Sequence, residues 1–230
     1  MRALCAAICL LVSTAACHAA TFGARMHETV RHSVDADGIV RLRLENTAGT
    51  VRVEGSAKSA IDVEAIKSGY SAEELRAIAI AIDRVGDVLR VQTLYKSDFH
   101  TGGVRYRIAV PARIALEVNN AAGTVDVAGL SGDLSIDTQA GAIKADLGKV
   151  TLGRSVVLHA TTGSIRASLA RDSDVTIDAH TTVGSISSDF PPIAGRRESI
   201  VGMSAHGRLG SGSARMELTT TTGAISLLER

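Results

Sequence analysis

Apolar residues alternate with polar ones along most of the chain after residue 40. The alternation includes Val125 and Val127, resumes at Leu134 and Ile136, and recurs in the later segments of similar length. A period of two places the apolar side chains on one face of a β-strand, whereas an amphipathic helix needs spacings of three and four residues. The pattern therefore predicts many short strands, each with one buried face.

A glycine followed by a small residue and then a β-branched residue recurs between these strand segments. The six copies begin at Gly49, Gly123, Gly141, Gly163, Gly184 and Gly223. The last five are separated by 18, 22, 21 and 39 residues, so the final interval is about two periods. A fixed period of about twenty residues is typical of repeat proteins. We interpret the glycines as tight corners, because positive φ and close backbone approach are tolerated best by glycine.

The period also predicts the overall architecture. At about 3.3 Å per strand residue, a repeat of this length traces a closed coil of about 66 Å. We therefore predict an all-β protein, a parallel β-solenoid or β-helix with about 20 residues per coil. It would form a single domain over residues 40–230 that is most regular from 111 to 230. Residues 191–215 interrupt the repeat and form either an irregular coil or a loop excursion.

Local signals add a short helix and a hairpin to this plan. Ser71 stands three residues before Glu74, the spacing of a helix-capping box. Residues 77–82 alternate alanine with isoleucine, and a turn at Gly86 separates them from the apolar residues 88–91. We predict one short helix after Ser71 and then a β-hairpin. A further strand over residues 104–110 should end at Pro111.

The N-terminus has the composition of a secretory leader. One arginine precedes a short apolar run and a small-residue segment that ends near residue 20. This run is too short for a membrane span, so we predict a signal peptide over residues 1–20. Cleavage after Ala19 or Ala20 would release the chain, whereas cleavage before Cys17 would leave a lipidated cysteine. Residues 21–39 are predicted to be a polar lead-in to the domain.

Composition limits the classes of partner. All three cysteines, Cys5, Cys9 and Cys17, lie within the predicted leader, so the folded part has no pair for a disulfide and no set for a structural Cys₄ zinc site. Lys and Arg total 25 against 24 Asp and Glu, and the leader contains one of the arginines. This balance predicts no nucleic-acid partner, and no transmembrane segment is expected in the mature chain.

The corner sequences resemble those of a known family. Thr-Thr-Gly-Ser-Ile at residues 161–165 and Thr-Thr-Gly-Ala-Ile at residues 221–225 are similar to the bacterial "putative adhesin" family of exported β-strand-repeat proteins. The likeness extends from about Val40 to Leu227. It implies a parallel β-solenoid outside the cytoplasm, in the periplasm or at the cell surface, and it brings no catalytic residues with it.

Histidine patterns give little support for a metal site. His27 and His32 enclose a Glu28 as in a zinc-protease motif, but their spacing of five residues rotates the second histidine away from the first on a helix. His159 and His180 are 21 residues apart, one repeat, and could lie one above the other on neighbouring coils. We predict no metal and no cofactor, and expect these histidines to be solvated.

Two other groups are candidate binding faces. Paired threonines precede three of the glycines, at 161–162, 181–182 and 221–222, and could form a ladder that binds a glycan or bonds neighbouring coils. The one local basic cluster is Arg196, Arg197, Arg208 and Arg215, which could contact an anionic envelope polymer.

These observations predict a non-enzymatic, exported surface or envelope protein, an adhesin-like interaction module. Its partner would be an anionic envelope polymer or glycan, or another protein. One alternative is a carbohydrate-active enzyme on a β-helix scaffold, which would need acids clustered on one face. The acids predicted to point outward, Asp126, Asp137, Asp146 and Asp178, are scattered along the alternation. The other alternative is a purely architectural periplasmic protein whose open end pairs with another copy.

Overall fold

The computed structural model describes residues 25–96, 102–151, 153–191, 193, 196–197 and 202–230. The predicted leader at 1–20, with Cys17, lies outside these residues. The described elements are β1 (Met26–Asp35), β2 (Arg41–Ala48), β3 (Val51–Ser56), β4 (Ala60–Gly69), α1 (Ala72–Ala77), β5 (Ile78–Val85), β6 (Val88–Tyr95), β7 (Gly103–Pro111), β8 (Ala115–Ala128), β9 (Leu134–Gly148), β10 (Ser155–Leu169), β11 (Val175–Ser188), β12 (Arg196–Arg197), β13 (Met203–Leu209) and β14 (Ala214–Glu229).

The described strands form an open sheet in the order β1-β4-β7-β3-β8-β9-β10-β14-β11-β13-β12. A branch leaves it where β2 pairs with both β8 and β6, and β6 pairs with β5. The all-β class and the single short helix are therefore confirmed. Ser71 caps α1 by accepting a hydrogen bond from the Glu74 amide, and β5 and β6 form the predicted hairpin.

Five long strands, β8, β9, β10, β14 and β11, are parallel neighbours in that order. Each contains one glycine at which the burial pattern changes phase. In β9 the side chains of Leu134, Ile136 and Thr138 are buried before Gly141, and those of Ile143 and Ala145 are buried after it. The change from even to odd positions means that the chain turns a corner at the glycine and keeps both arms facing one aliphatic core.

The prediction of a parallel β-solenoid with about 20 residues per coil is not confirmed. Strand β14 lies between β10 and β11, so the order of strands departs from the order of the chain. The first part of the domain mixes both kinds of pairing, because β4 pairs antiparallel with β1 and β7 whereas β3 pairs parallel with β7. Only from β8 to β10 do consecutive repeats lie side by side.

The segment over residues 191–215 is part of this rearrangement. Within it, β13 pairs antiparallel with the outer edge of β11, and β12 pairs with β13. The chain then turns at Gly210 and enters the sheet as β14 between β10 and β11. The described residues of the segment thus form an antiparallel excursion that covers the edge of β11.

The N-terminal prediction also needs correction. Residues 26–35, within the predicted polar lead-in of 21–39, form strand β1, which pairs with β4 along its whole length. Eight of its ten side chains are exposed, which is why an alternation of apolar residues does not mark it. Lys67 of β4 fixes the pair, because its ammonium group contacts Glu28 at 2.8 Å and donates to the carbonyls of Leu75 and Ile78 at the end of α1.

The six repeated glycines form a column across the sheet. All have positive φ, between 128° and 154°. A Cβ on Gly163 would overlap the carbonyl oxygen of Gly141, and a Cβ on Gly223 would overlap that of Gly163. The same overlap recurs along the column, which runs in the order Gly49, Gly123, Gly141, Gly163, Gly223 and Gly184. The backbones therefore approach each other more closely here than any side chain would allow.

A buried hydrogen-bond chain fixes the register at the start of the column. Asn46 Nδ2 donates to Asn120 Oδ1 at 3.0 Å, and Thr93 Oγ1 donates to Asn46 Oδ1 at 3.0 Å. Thr93 also shares a hydrogen bond with the hydroxyl of Tyr106 at 2.7 Å, and burial raises the pKa of Tyr106 to about 12. A shift of register would break these bonds inside the core, so they hold β2, β6, β7 and β8 in one alignment.

The Asp174 carboxylate holds the turn that returns the chain to β14. It accepts hydrogen bonds from the backbone amide of Gly212 at 2.6 Å, from Ser213 Oγ at 2.6 Å and from Ser211 Oγ at 2.9 Å. The hydroxyls of Ser213 and Ser211 are the main cause that holds the pKa of Asp174 well below its usual value. The turn is therefore fastened by an ionised carboxylate.

The glycine column predicts a large difference between two substitutions. Gly163→Ala should lower the free energy of unfolding by more than about 3 kcal/mol, because an unfavourable φ and a clash with Gly141 act together. Gly86→Ala is the matched control. Its φ is also positive, at 64°, but nothing lies within 4 Å of the added Cβ, so about 1 kcal/mol is expected. Urea unfolding followed by circular dichroism measures both, and equal effects would contradict the account of the column.

The Asp174 turn predicts a pH-dependent stability difference. Because folding lowers the pKa of Asp174, its contribution is complete above the unfolded pKa of about 4 and is lost as the pH falls through the lower folded value. Asp174→Asn should therefore destabilise the protein more at pH 7 than at pH 2, since other carboxylates affect both proteins alike. Urea midpoints at the two pH values measure this difference. A difference that does not change with pH would show that the charge of Asp174 is irrelevant.

Candidate binding surface

Seven charged residues on adjacent strands form a row on the outer surface of the sheet. The strand register aligns each with the next, and we call these residues the charged row: Arg31, Glu64, Arg107, Arg52, Asp126, Lys144 and Arg166. Five are cations and two are carboxylates. Neighbouring strands lie about 4.8 Å apart, so the seven strands span about 29 Å.

The glycine column explains why four of these side chains are aligned. Arg52, Asp126, Lys144 and Arg166 each lie three residues after a corner glycine. At that position the side chain points away from the core, because the residues on either side of it, such as Val125 and Val127, are buried. Because the glycines are aligned across the sheet, the charged residues three positions after them are aligned as well.

The two carboxylates of the charged row neutralise some of its cations and, among the described residues, leave others without a salt bridge. Glu64 accepts from Arg31 Nε at 3.0 Å and from Arg107 Nη1 at 3.3 Å, and the Arg31 hydrogen bond is the main cause that lowers its pKa. Within the described part of the chain, Lys144 and Arg166 form no salt bridge. Two directly adjacent pairs of like charge, Arg107 with Arg52 and Lys144 with Arg166, remain on the surface. Each pair favours an anion that lies between its members.

One end of the charged row borders a cavity of about 830 Å³ on strands β1, β4, β7 and β3. We call it the arginine groove. A second row of residues lies beside the arginines along the same strands. The lining of the groove includes three arginines of the charged row, Arg31, Arg107 and Arg52. It also includes the residues of the second row, Ser33, Asp62, Ala109 and Glu54. A cavity of this volume is within the usual range for small-molecule sites.

The basic cluster predicted from the sequence is only partly assembled. Arg208 of β13 and Arg215 of β14 both lie opposite Thr176 of β11, so they are two strands apart and both are exposed. Arg215 also lies 3.7 Å from Glu217. The backbones of Arg196 and Arg197 lie in β12 at the edge of the sheet, and their side chains are outside the described residues.

The structure places the histidines considered in the sequence analysis on separate parts of the sheet. Thr219 of β14 lies between His159 and His180, so the two are not on neighbouring strands and do not lie one above the other. His27 and His32 lie on the exposed strand β1, where no helical motif exists. His206 contacts Asp178 at 2.5 Å. Among the described residues, no group of three or more His, Cys, Asp or Glu side chains could hold a metal ion.

The threonine pairs do not form a continuous ladder. Thr162 lies opposite Thr222, but the next residue in that row is Val183, because Thr181 aligns with Thr220. Thr181 and Thr220 are buried, and Thr181 donates to the carbonyl of Gly223. The row of aligned, exposed threonines is thus limited to Thr162 and Thr222, and the buried Thr181 and Thr220 serve contact between strands.

The four aspartates predicted to point outward do not form one cluster. Asp126 is in the charged row, Asp146 contacts Arg230 at 3.1 Å, Asp178 contacts His206, and Asp137 lies opposite His159 on another part of the surface.

No helix in the described ranges is long and apolar enough to cross a membrane.

Sequence reasoning missed the charged row. Alignment of the residue three places after each corner glycine would have found Arg52, Asp126, Lys144 and Arg166. Nothing in the sequence would have added Arg31, Glu64 and Arg107, because their strands contain no corner glycine and join the sheet by antiparallel pairing or by a parallel pair with β3.

Solved structures that match this chain carry adhesin names. A "putative cell adhesion protein" from Clostridium sporogenes aligns with a TM-score of 0.64 and 13% identity over 89% of this chain and 100% of its own. A "putative adhesin" from Bacteroides fragilis aligns with a TM-score of 0.30 and 12% identity over 87% and 97%, respectively. The first alignment supports a similar fold and nothing more. The second has too low a TM-score to support a similar fold.

The sequence itself gives the family. None of the curated proteins compared with the chain matches it. The profile of the family described as Toastrack DUF4097 matches residues 110–228, which is just over half of the 230 residues. The matched part begins at the end of β7 and includes the five parallel strands with their glycine corners. The chain therefore belongs to the Toastrack DUF4097 family.

Proposed function

We propose that the protein is a non-enzymatic interaction module of the bacterial envelope that binds a linear anionic polymer along the charged row. The observation that carries this proposal is the row itself: five cations against two carboxylates on a chain whose total charge is balanced. An extended polyanion that crosses the strands would meet cations on five of seven consecutive strands.

The scaffold favours this mode of binding. Three of the five cations, Arg52, Lys144 and Arg166, lie three residues after a glycine of the column, which fixes the register of the backbone at these positions. A ligand therefore pays little to order the backbone, and the remaining cost is the immobilisation of side chains. Arg52 and Arg107 keep more than half of their side-chain surface exposed, 58% and 57%, so they are accessible to a ligand.

An exported location fits the same proposal. The predicted leader at residues 1–20 would direct the chain across the membrane, and processing before Cys17 would anchor it by lipid. The name of the Clostridium sporogenes neighbour, a putative cell adhesion protein, agrees with a place in the periplasm or at the cell surface. In that setting the anionic polymers of the envelope are the abundant partners of matching charge.

The arginine cluster predicted from the sequence is the rival surface. Arg208 and Arg215 are also exposed, but Arg215 faces Glu217, and the cavity beside it is smaller, at about 380 Å³. Comparison of the two surfaces gives a matched test, because each offers a pair of cations outside the arginine groove.

The proposal predicts that loss of Lys144 and Arg166 weakens binding of polyanions. Polygalacturonate and inorganic polyphosphate serve as probes, and binding is measured by isothermal titration calorimetry at low and at high salt. Lys144→Gln with Arg166→Gln should weaken binding of both probes by about tenfold at low salt, from two surface charge contacts. Salt should weaken binding to the wild-type protein more than to this variant.

The control is Arg208→Gln with Arg215→Gln, which removes the same charge from the rival surface and should leave binding nearly unchanged. An equal loss of binding affinity in the two variants would show that binding depends only on the net charge of the protein, and would contradict the proposal. A loss confined to the control, or to a variant in which Arg196, Arg197 and Arg208 become serine, would move the binding face to the predicted cluster. No binding of either probe would favour the architectural role.

A further inference from the structure

The arginine groove contains two different rows side by side. Arg31, Arg107 and Arg52 belong to the charged row, and Glu64 lies between the first two. Two residues further along the same strands, the second row consists of Ser33, Asp62, Ala109 and Glu54, in that order. The groove therefore presents hydrogen-bond donors along one side and carboxylate acceptors along the other.

The donor side has capacity left for a ligand. In the hydrogen bonds among described residues, Arg52 uses only its Nε, which donates to Glu54 at 2.6 Å, and Arg107 uses only its Nη1, which donates to Glu64. A guanidinium group has five N–H donors, so most of the donors of these adjacent arginines still point to solvent. Two adjacent guanidinium groups suit a carboxylate, which accepts two parallel hydrogen bonds.

Asp62, on the acceptor side, is ionised at neutral pH. Ser33 Oγ donates to Asp62 at 2.7 Å and Lys58 donates at 3.2 Å, and these bonds lower the pKa of Asp62. An ionised carboxylate accepts hydrogen bonds and donates none. Asp62 and Glu54 lie on either side of Ala109, about 10 Å apart across two strand spacings. The small side chain of Ala109 leaves space between them for a ligand.

We propose that the arginine groove binds a uronic-acid unit of an acidic polysaccharide, with its carboxylate at Arg52 and Arg107 and its hydroxyl groups donating to Glu54 and Asp62. This inference rests on the proposed function, since it names the polymer that the charged row receives. A sugar acid combines the two groups that the two sides of the groove require. The donor row alone would accept any anion, and the acceptor row selects one that also carries hydroxyl donors.

A phosphate polymer fits this groove less well. Its phosphate groups are acceptors at neutral pH, so they match the arginines but offer no proton to Glu54 and Asp62. Like charges within a few ångströms repel each other, and the two carboxylates would therefore disfavour such a chain. The acceptor row thus acts as a selection against polyanions that lack hydroxyl groups.

The experiment compares trigalacturonate with tripolyphosphate by isothermal titration calorimetry on the mature chain. The test variant is Glu54→Gln with Asp62→Asn, which keeps the shape of both side chains and removes their charge. We expect trigalacturonate to bind at least about tenfold more weakly to this variant, because hydrogen bonds to charged groups are lost. Tripolyphosphate should bind equally or more tightly. Thermal unfolding by circular dichroism verifies that the variant is folded.

The matched control is Asp178→Asn with Glu217→Gln, which removes two carboxylates from the outer surface of β11 and β14. It should leave trigalacturonate binding unchanged or slightly tighter. Weaker trigalacturonate binding in this control, or tighter trigalacturonate binding in the test variant, would overturn the uronate assignment. If tripolyphosphate binds the wild-type protein and trigalacturonate does not, the groove assignment fails while the charged row stands. If neither binds and Lys144→Gln with Arg166→Gln has no effect on polymer binding, the proposed function itself fails.

Discussion

Close backbone packing at the glycine column is the constraint on which the rest of the structure depends. Each glycine from Gly123 to Gly184 packs against the carbonyl of the preceding glycine in the column, at a distance that a side chain would not permit. A slip of one residue would place Thr124 or Ala142 at that contact and would turn every buried valine and isoleucine outward. The column therefore fixes both the corner and the register, and the aliphatic core follows from them.

The same constraint organises the outer surface. Because every corner is aligned, the residue three places after it is aligned as well, and the sequence needs only to place a charge there to build a row. Arg52, Asp126, Lys144 and Arg166 occupy this position. The antiparallel strands β1 and β4 extend the row by register alone, without a corner of their own. An interaction surface of this kind is built from the register of the strands and requires no catalytic acid or base.

The sequence predicted the parts of this fold that depend on local chemistry. Alternation located the strands, the Ser71 cap located α1, and Gly86 located the hairpin. The order of strands was not predictable from the repeats, because every corner carries nearly the same residues and Gly223 could pack on Gly163 or on Gly184 with similar complementarity. In the structure it packs between them, which separates His159 from His180. Strand β1 was not predicted, because eight of its ten side chains are exposed and the strand is held by pairing with β4 and by Lys67.

The central claim is that register at the glycines creates a binding row on the outer surface. Nuclear magnetic resonance of the arginine Nε–H groups tests it most directly, because each arginine reports separately while polygalacturonate is added to the wild-type protein. The account predicts that the signals of Arg52, Arg107 and Arg166 shift together at the same ligand concentration, while those of Arg208 and Arg215 stay in place. Shifts confined to Arg208 and Arg215, or spread evenly over all the arginines, would contradict it.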